Sequence, residues 1–145
     1  MTIEDAIRPK AEFILKGIKN TLADAMGVEF RELSRKRIVA DMPIGNNTVQ
    51  PVRILHGGAS VALAETVTSI AGWLNLEDEN LTTVGMEINA NHIRPVKEGG
   101  TVTAVATPIH LGRRSQVWQT HITDQNDKLV CISRCTVAIV PLETV

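Results

Sequence analysis

Residues 56–73, HGGASVALAETVTSIAGW, carry a single carboxylate, Glu65, within an otherwise apolar or small-residue run of helical character. Ala, Val, Leu and Ile fall all round the helical wheel, and a helix apolar on every side is expected to be buried on every side. An ionised carboxylate in such a place costs several kcal/mol unless it is paired, hydrogen-bonded or wetted by a cleft. No opposite charge lies a turn away, since positions 61, 62, 68 and 69 are Val, Ala, Thr and Ser. Either a distant Arg satisfies Glu65, or the acid is kept for chemistry. The second reading is favoured, because isolated desolvated acids concentrate at active sites.

The start of this helix offers the complementary group. His56-Gly57-Gly58 follows the extended stretch Pro51-Val52-Arg53-Ile54-Leu55. The two glycines allow another chain or a ligand to approach the backbone closely. First-turn N–H groups have no intrahelical acceptor, and the helix dipole adds positive potential. The segment thus presents donors for an oxyanion at one end and an acid further along.

Gln50, His56-Gly57-Gly58, Glu65 and the later Glu87-Ile88-Asn89-Ala90-Asn91-His92 together resemble the hotdog-fold acyl-CoA thioesterases. The similarity is to the branch whose central helix carries a catalytic Glu: 1,4-dihydroxy-2-naphthoyl-CoA hydrolases, Glu-type 4-hydroxybenzoyl-CoA thioesterases and enterobactin-pathway proofreading thioesterases. It extends from about Gly27 to Val140. The resemblance implies an α+β fold, a curved and mostly antiparallel sheet wrapped around a long central helix, and hydrolysis of acyl-CoA, aroyl-CoA in particular, to free acid and coenzyme A. The Gly57 N–H would stabilise the oxyanion. Glu65 would act as nucleophile or as general base on a water. Gln50 and His56 would flank the carbonyl and the water, and Ser69, one turn beyond Glu65, could hold the water.

Coenzyme A brings phosphates, for which His92, Arg94 and the Gly112-Arg113-Arg114-Ser115 turn are candidates. No cofactor is expected beyond the coenzyme A of the substrate, and no metal. Val61, Thr68 and the region of Met86 are expected to line the acyl pocket. Two other readings stay open: a hotdog hydroxyacyl dehydratase pairing His56 with Glu65, and a non-catalytic acyl-CoA-binding domain. A Gly-x-Ser-x-Gly elbow is absent, since Gly58-Ala59-Ser60-Val61-Ala62 lacks the closing glycine, and there is neither a phosphate loop nor an HExxH motif.

Spacing adds a constraint. Gly57 and Glu65 are eight positions apart, about 12 Å along a helix axis at about 1.5 Å per residue. They cannot both touch one carbonyl from the same helix. Two helices lying antiparallel would bring the start of each to the middle of the other, so a homodimer with two equivalent shared sites is expected. The family resemblance likewise implies dimers, often paired into tetramers.

The elements that must position these groups follow from periodicity. Residues 10–26 read as an amphipathic helix through Phe13, Ile14, Ile18, Leu22 and Met26, stopped by Gly27. Strands are expected at about 28–34, 37–43, 82–94, 101–111, 115–124 and 128–140, broken by Glu98-Gly99-Gly100, Gly112-Arg113 and Gln125-Asn126-Asp127. The alternation Val84/Met86/Ile88/Ala90 predicts one face for those four residues. Short connections leave no room for crossover helices, so the sheet should be mainly antiparallel.

At 145 residues the chain has the size of one domain spanning 1–145. Its net charge of −1 gives no reason to expect nucleic acid or an anionic membrane as partner. No apolar run reaches a bilayer span, and MTIEDAIRPK lacks the apolar stretch of a signal peptide, so the cytoplasm is the expected compartment. Cys131 and Cys135, four apart in a strand, would lie about 13 Å from each other. That is beyond the roughly 7 Å reach of a disulfide, so both are expected to be core residues. The histidines make no metal-site spacing with them.

Overall fold

Every second residue of 102–106 (Val102, Ala104, Ala106), of 116–122 (Gln116, Trp118, Thr120, Ile122) and of 131–137 (Cys131, Ser133, Cys135, Val137) is buried. This period-two pattern gives three long strands a common inner face. The computed structural model describes all residues, Met1–Val145. Its strands are β1 (Thr2–Ile3), β2 (Glu29–Leu33), β3 (Ile38–Pro43), β4 (Leu81–His92), β5 (Thr101–Leu111), β6 (Ser115–Asp124) and β7 (Leu129–Pro141). They form one sheet in the order β1-β2-β3-β5-β6-β7-β4, antiparallel except for the β1–β2 pair.

The long helix α3 (Gly57–Leu74) lies against β3 to β7. It buries Ala59, Ser60, Leu63, Ala64, Val67, Ala71 and Leu74 at three- and four-residue spacing. Trp118, fully buried, donates its indole N–H to Gln116 Oε1 at 2.9 Å, and Gln116 Nε2 reaches the Gly72 carbonyl at 3.4 Å. A Cβ at Gly72 would stand 3.1 Å from Val137 Cγ2, so the helix packs closely on the sheet there. This is the α+β layer arrangement that the sequence predicts.

Four expectations are corrected. First, α3 is not buried on every side: Val61, Ala62, Thr66, Ser69, Ile70 and Trp73 are only partly covered, and Glu65 is exposed. Second, the helix expected over 10–26 is two helices, α1 (Arg8–Gly17) and α2 (Leu22–Ala25). Asn20 turns left-handed (φ 61°), and Thr21 caps α2 through the Asp24 N–H. Phe13 and Leu22 stay exposed, at 68% and 63%. Gly27 (φ 72°) does follow α2 as expected. Third, the sheet carries one strand more than the six expected, the two-residue β1.

Fourth, the Val84/Met86/Ile88/Ala90 alternation does not hold as one face. The β4–β7 register runs Gly85↔Val137 and then Glu87↔Thr136, leaving Met86 as the extra residue of a bulge. A one-residue slip exchanges faces. Thr83, whose Cγ2 would meet a Cβ on Gly72, lies on the helix side before the bulge, whereas Ile88 and Ala90 pack on the core after it. Cys131 and Cys135 are buried free thiols, as expected, and burial pushes both thiols up from the ordinary value. No helix is long and apolar enough to cross a membrane.

Candidate active site

A tight turn delivers the chain to the start of α3. The Gln50 N–H bonds the Ile54 carbonyl at 3.0 Å and the Arg53 N–H bonds the Gln50 carbonyl at 2.8 Å, with Arg53 at φ 62°. The Arg53 guanidinium pairs with Glu98 across the loop. Gln50 Oε1 accepts from the Val52 N–H at 2.6 Å, which leaves the side-chain NH2 as its unengaged donor.

His56 then takes extended angles (φ −72°, ψ 129°) as N-cap of α3, and its Nδ1 accepts from the Gly58 N–H at 2.8 Å. An imidazole accepting at Nδ1 carries its proton on Nε2, an assignment made from the hydrogen bond itself. The Ala59 and Ser60 N–H groups both bond the His56 carbonyl, at 3.0 and 3.3 Å. Of the four first-turn donors, only the Gly57 N–H is without an acceptor. His92 stands over it: a Cβ on Gly57 would lie 2.9 Å from His92 Nε2. Gln50, Gly57, Ser60, His92 and Arg94 share a cleft of about 350 Å³.

Glu65 lies outside that cleft. Its carboxylate joins none of the chain's seven ion pairs and accepts no side-chain or backbone hydrogen bond, so no distant Arg satisfies it. It projects toward β4, with Oε1 3.0 Å from the position a Cβ would take on Gly85. Ser69, one turn on, borders a different groove of about 440 Å³ together with Phe13, Ile70, Trp73 and Leu81. Thr68, expected in the acyl pocket, is instead fully buried beneath the helix and bonds the Ala64 carbonyl at 2.9 Å. Val61 is partly covered and Met86 is 65% exposed.

The candidate phosphate ligands separate into two groups. His92 and Arg94 flank the helix start, with Arg94 Nη1 on the Leu129 carbonyl at 3.2 Å. Gly112, Arg113, Arg114 and Ser115 turn between β5 and β6 at the other end of the sheet, where they border a polar recess with His110. Ser115 pairs with Ala138, and Ala138 with Val84, eight positions from His92 on β4. At about 3.3 Å per residue the two groups are roughly 25 Å apart, and one chain does not gather them around one nucleotide. His110 and Gly85 are the neighbours that sequence reading missed. An isolated glycine inside a strand pattern was the available signal for Gly85.

These features have counterparts in known proteins. Residues 53–131 match the family model of the thioesterase superfamily. The 1,4-dihydroxy-2-naphthoyl-CoA hydrolase of Escherichia coli is 47% identical over 114 residues, 79% of this chain and 82% of its own. The crystal structure of a thioesterase from Haemophilus influenzae superposes with a TM-score of 0.84 at 47% identity, covering 90% of each chain. Two structures of a Staphylococcus aureus thioesterase are also similar. One has TM-score 0.81 and 36% identity over 84% of this chain and 100% of its own; the other has 0.79 and 35% over 83% and 98%. The first carries an alanine in place of a glutamate and the second an alanine in place of a glutamine, at positions as far apart as Gln50 and Glu65 are here. The chain belongs to the thioesterase superfamily. It is a thioester hydrolase of hotdog fold.

Proposed function

We propose that this chain hydrolyses acyl-CoA thioesters, with an aroyl group as the preferred acyl class, at sites shared between two copies. The observation that carries the reading is a pair of unsatisfied groups on one helix: the Gly57 N–H, a donor without an acceptor, and the Glu65 carboxylate, a charge without a partner. A thioester carbonyl bonded to Gly57 would gain as its oxygen becomes anionic, an interaction worth about 3–4 kcal/mol in other enzymes. Glu65 would attack the carbonyl carbon, expelling the coenzyme A thiolate and leaving a mixed anhydride that water cleaves, or would take the proton of an attacking water. The free NH2 of Gln50 can bond the same carbonyl. The aroyl preference follows the naphthoyl-CoA named for the E. coli relative.

Self-association is supported by what the single chain leaves open. β4 is a 12-residue edge strand whose outer hydrogen-bonding side is unpaired, a feature that proteins ordinarily cover or blunt. The incompletely covered face of α3, with Val61, Ala62 and Ile70, adjoins it. A two-fold axis there would bring Glu65 of the partner subunit to Gly57. It would carry along the Arg113–Arg114 turn, which lies at the Glu65 end of the sheet, toward His92 and Arg94. The two basic groups that one chain separates would then serve one nucleotide.

Free-thiol release from a panel of aromatic and aliphatic acyl-CoAs tests the reading. Turnover should be highest with aroyl-CoA, whereas thermal stabilisation by the esters without thiol release would make the chain a binder. His56 is assigned the cap rather than bond-making. His56→Ala should cost about 1 kcal/mol of stability, measured by denaturant unfolding, and slow turnover less than loss of Glu65 does. Equal loss of turnover for the two would make His56 an obligatory acid or base and revive the dehydratase chemistry.

A further inference from the structure

Gly85 lies inside the 12-residue strand β4, where glycine weakens a sheet because it has no side chain to pack. Its φ is not positive, so the turn geometry does not demand it. What it makes room for is specific. A Cβ built on Gly85 meets one heavy atom within 4 Å, Oε1 of Glu65 at 3.0 Å. The bulge at Met86 has a matching consequence. Without the extra residue the strand would keep one phase throughout, and a β4 whose residues 88, 90 and 92 face the helix would turn position 85 away from it. The slip turns Gly85, itself exposed, to the helix side of the strand, opposite the buried Val137. The Glu65 charge is also felt at Cys135 on β7: burial pushes that thiol up, and the nearby carboxylate adds to it.

We infer that Gly85 is a positioning residue: the bulge and the missing side chain form a seat that holds the Glu65 carboxylate close against the β4 backbone. The inference rests on Glu65 being the reacting carboxylate. A side chain at 85 would push the flexible end of Glu65 off the strand, which costs the fold little because a carboxylate end can rotate away. It costs the reaction more, since misplacing a reacting group by about 1 Å can slow turnover by about 100-fold. Gly85→Ala should therefore separate activity from stability.

The test is steady-state thiol release from benzoyl-CoA by the assembled enzyme, with Tm measured on the same samples. Gly85→Ala should lower kcat by about 10- to 100-fold, change KM little and leave Tm unchanged or raised. Glu65→Asp shortens the side chain by one methylene and should clear the new methyl group. Gly85→Ala/Glu65→Asp should then be no slower than Glu65→Asp alone. Wild-type kcat in Gly85→Ala would overturn the inference. So would losses in the double variant that multiply, or a Tm lowered by many degrees, since the methyl group would then be meeting more than a carboxylate. Glu65→Gln separates the two levels. If it stays active, the assignment of Glu65 itself fails; if it is inactive while Gly85→Ala is normal, only the seat fails.

Discussion

Glu65→Gln is expected to reduce thioester hydrolysis by on the order of 10³-fold or more, the scale seen when a reacting group is removed from other hydrolases, while leaving acyl-CoA binding and subunit association largely intact. Glutamine matches glutamate in shape but neither attacks a carbonyl nor takes a proton from water. Because no ion pair or hydrogen bond engages the carboxylate, the substitution breaks nothing in the fold. The carboxylate is exposed within the protomer, so its charge contributes nothing to holding the fold together. Tm should therefore stay level or rise, the usual sign of a residue kept for activity rather than stability. Glu65→Asp, which retains the charge, should be far more active than the Gln variant. Activity above a few per cent of wild type in Glu65→Gln would rule Glu65 out.

How far the sequence discloses this molecule depends on which interactions are local. Turn residues at their ends place β3, β5, β6 and β7 to within a residue or two, and β5 and β6 alternate along much of their length, whereas β3 buries Ile38, Val39 and Ala40 in succession. The α3 helix and its start are equally legible in His56-Gly57-Gly58 and the apolar run behind it. The strand β4 is placed, but its phase is not: a bulge is set by pairing with β7, and the sequence between Gly85 and Glu87 looks like uninterrupted strand. The break at Asn20 is missed because Ile18 and Leu22 keep helical spacing across it, although Leu22 ends exposed.

At the site, Gln50, Gly57 and Glu65 were readable as types at a spacing, while their surroundings were not. Apolar residues all round α3 suggested burial by its own sheet, yet a single chain covers only the Leu63–Val67–Leu74 side and leaves Glu65 open. Composition records that a helix is apolar on several faces but not which of them the chain's own sheet covers. The same limit explains the phosphate candidates, which look like one set in sequence and stand at opposite ends of one sheet. Gly85 was missed because its neighbour, Glu65, is twenty positions away on another element.

Two inactive variants are expected to restore one another. Glu65→Gln removes the acid, and Gly57→Pro removes the only first-turn N–H of α3 that lacks an acceptor. Proline suits this position: it is the first residue of the helix, and the preceding His56 already holds the extended angles (φ −72°, ψ 129°) that a residue before proline requires. The new Cβ would crowd the His92 ring, 2.9 Å away, and that exposed side chain can swing aside. Each homodimer should be inactive, since every site would lack one group. After subunit exchange, a heterodimer has one site with both defects and one with neither. Two-fold symmetry then sets recovery at up to about half the wild-type activity per heterodimer, read as thiol release against the heterodimer fraction measured by mass spectrometry. If exchange is complete and no activity returns, donor and acid act within one chain. The roughly 12 Å between them along α3 would then have to be bridged by a movement of the helix start, and the shared-site geometry would be abandoned.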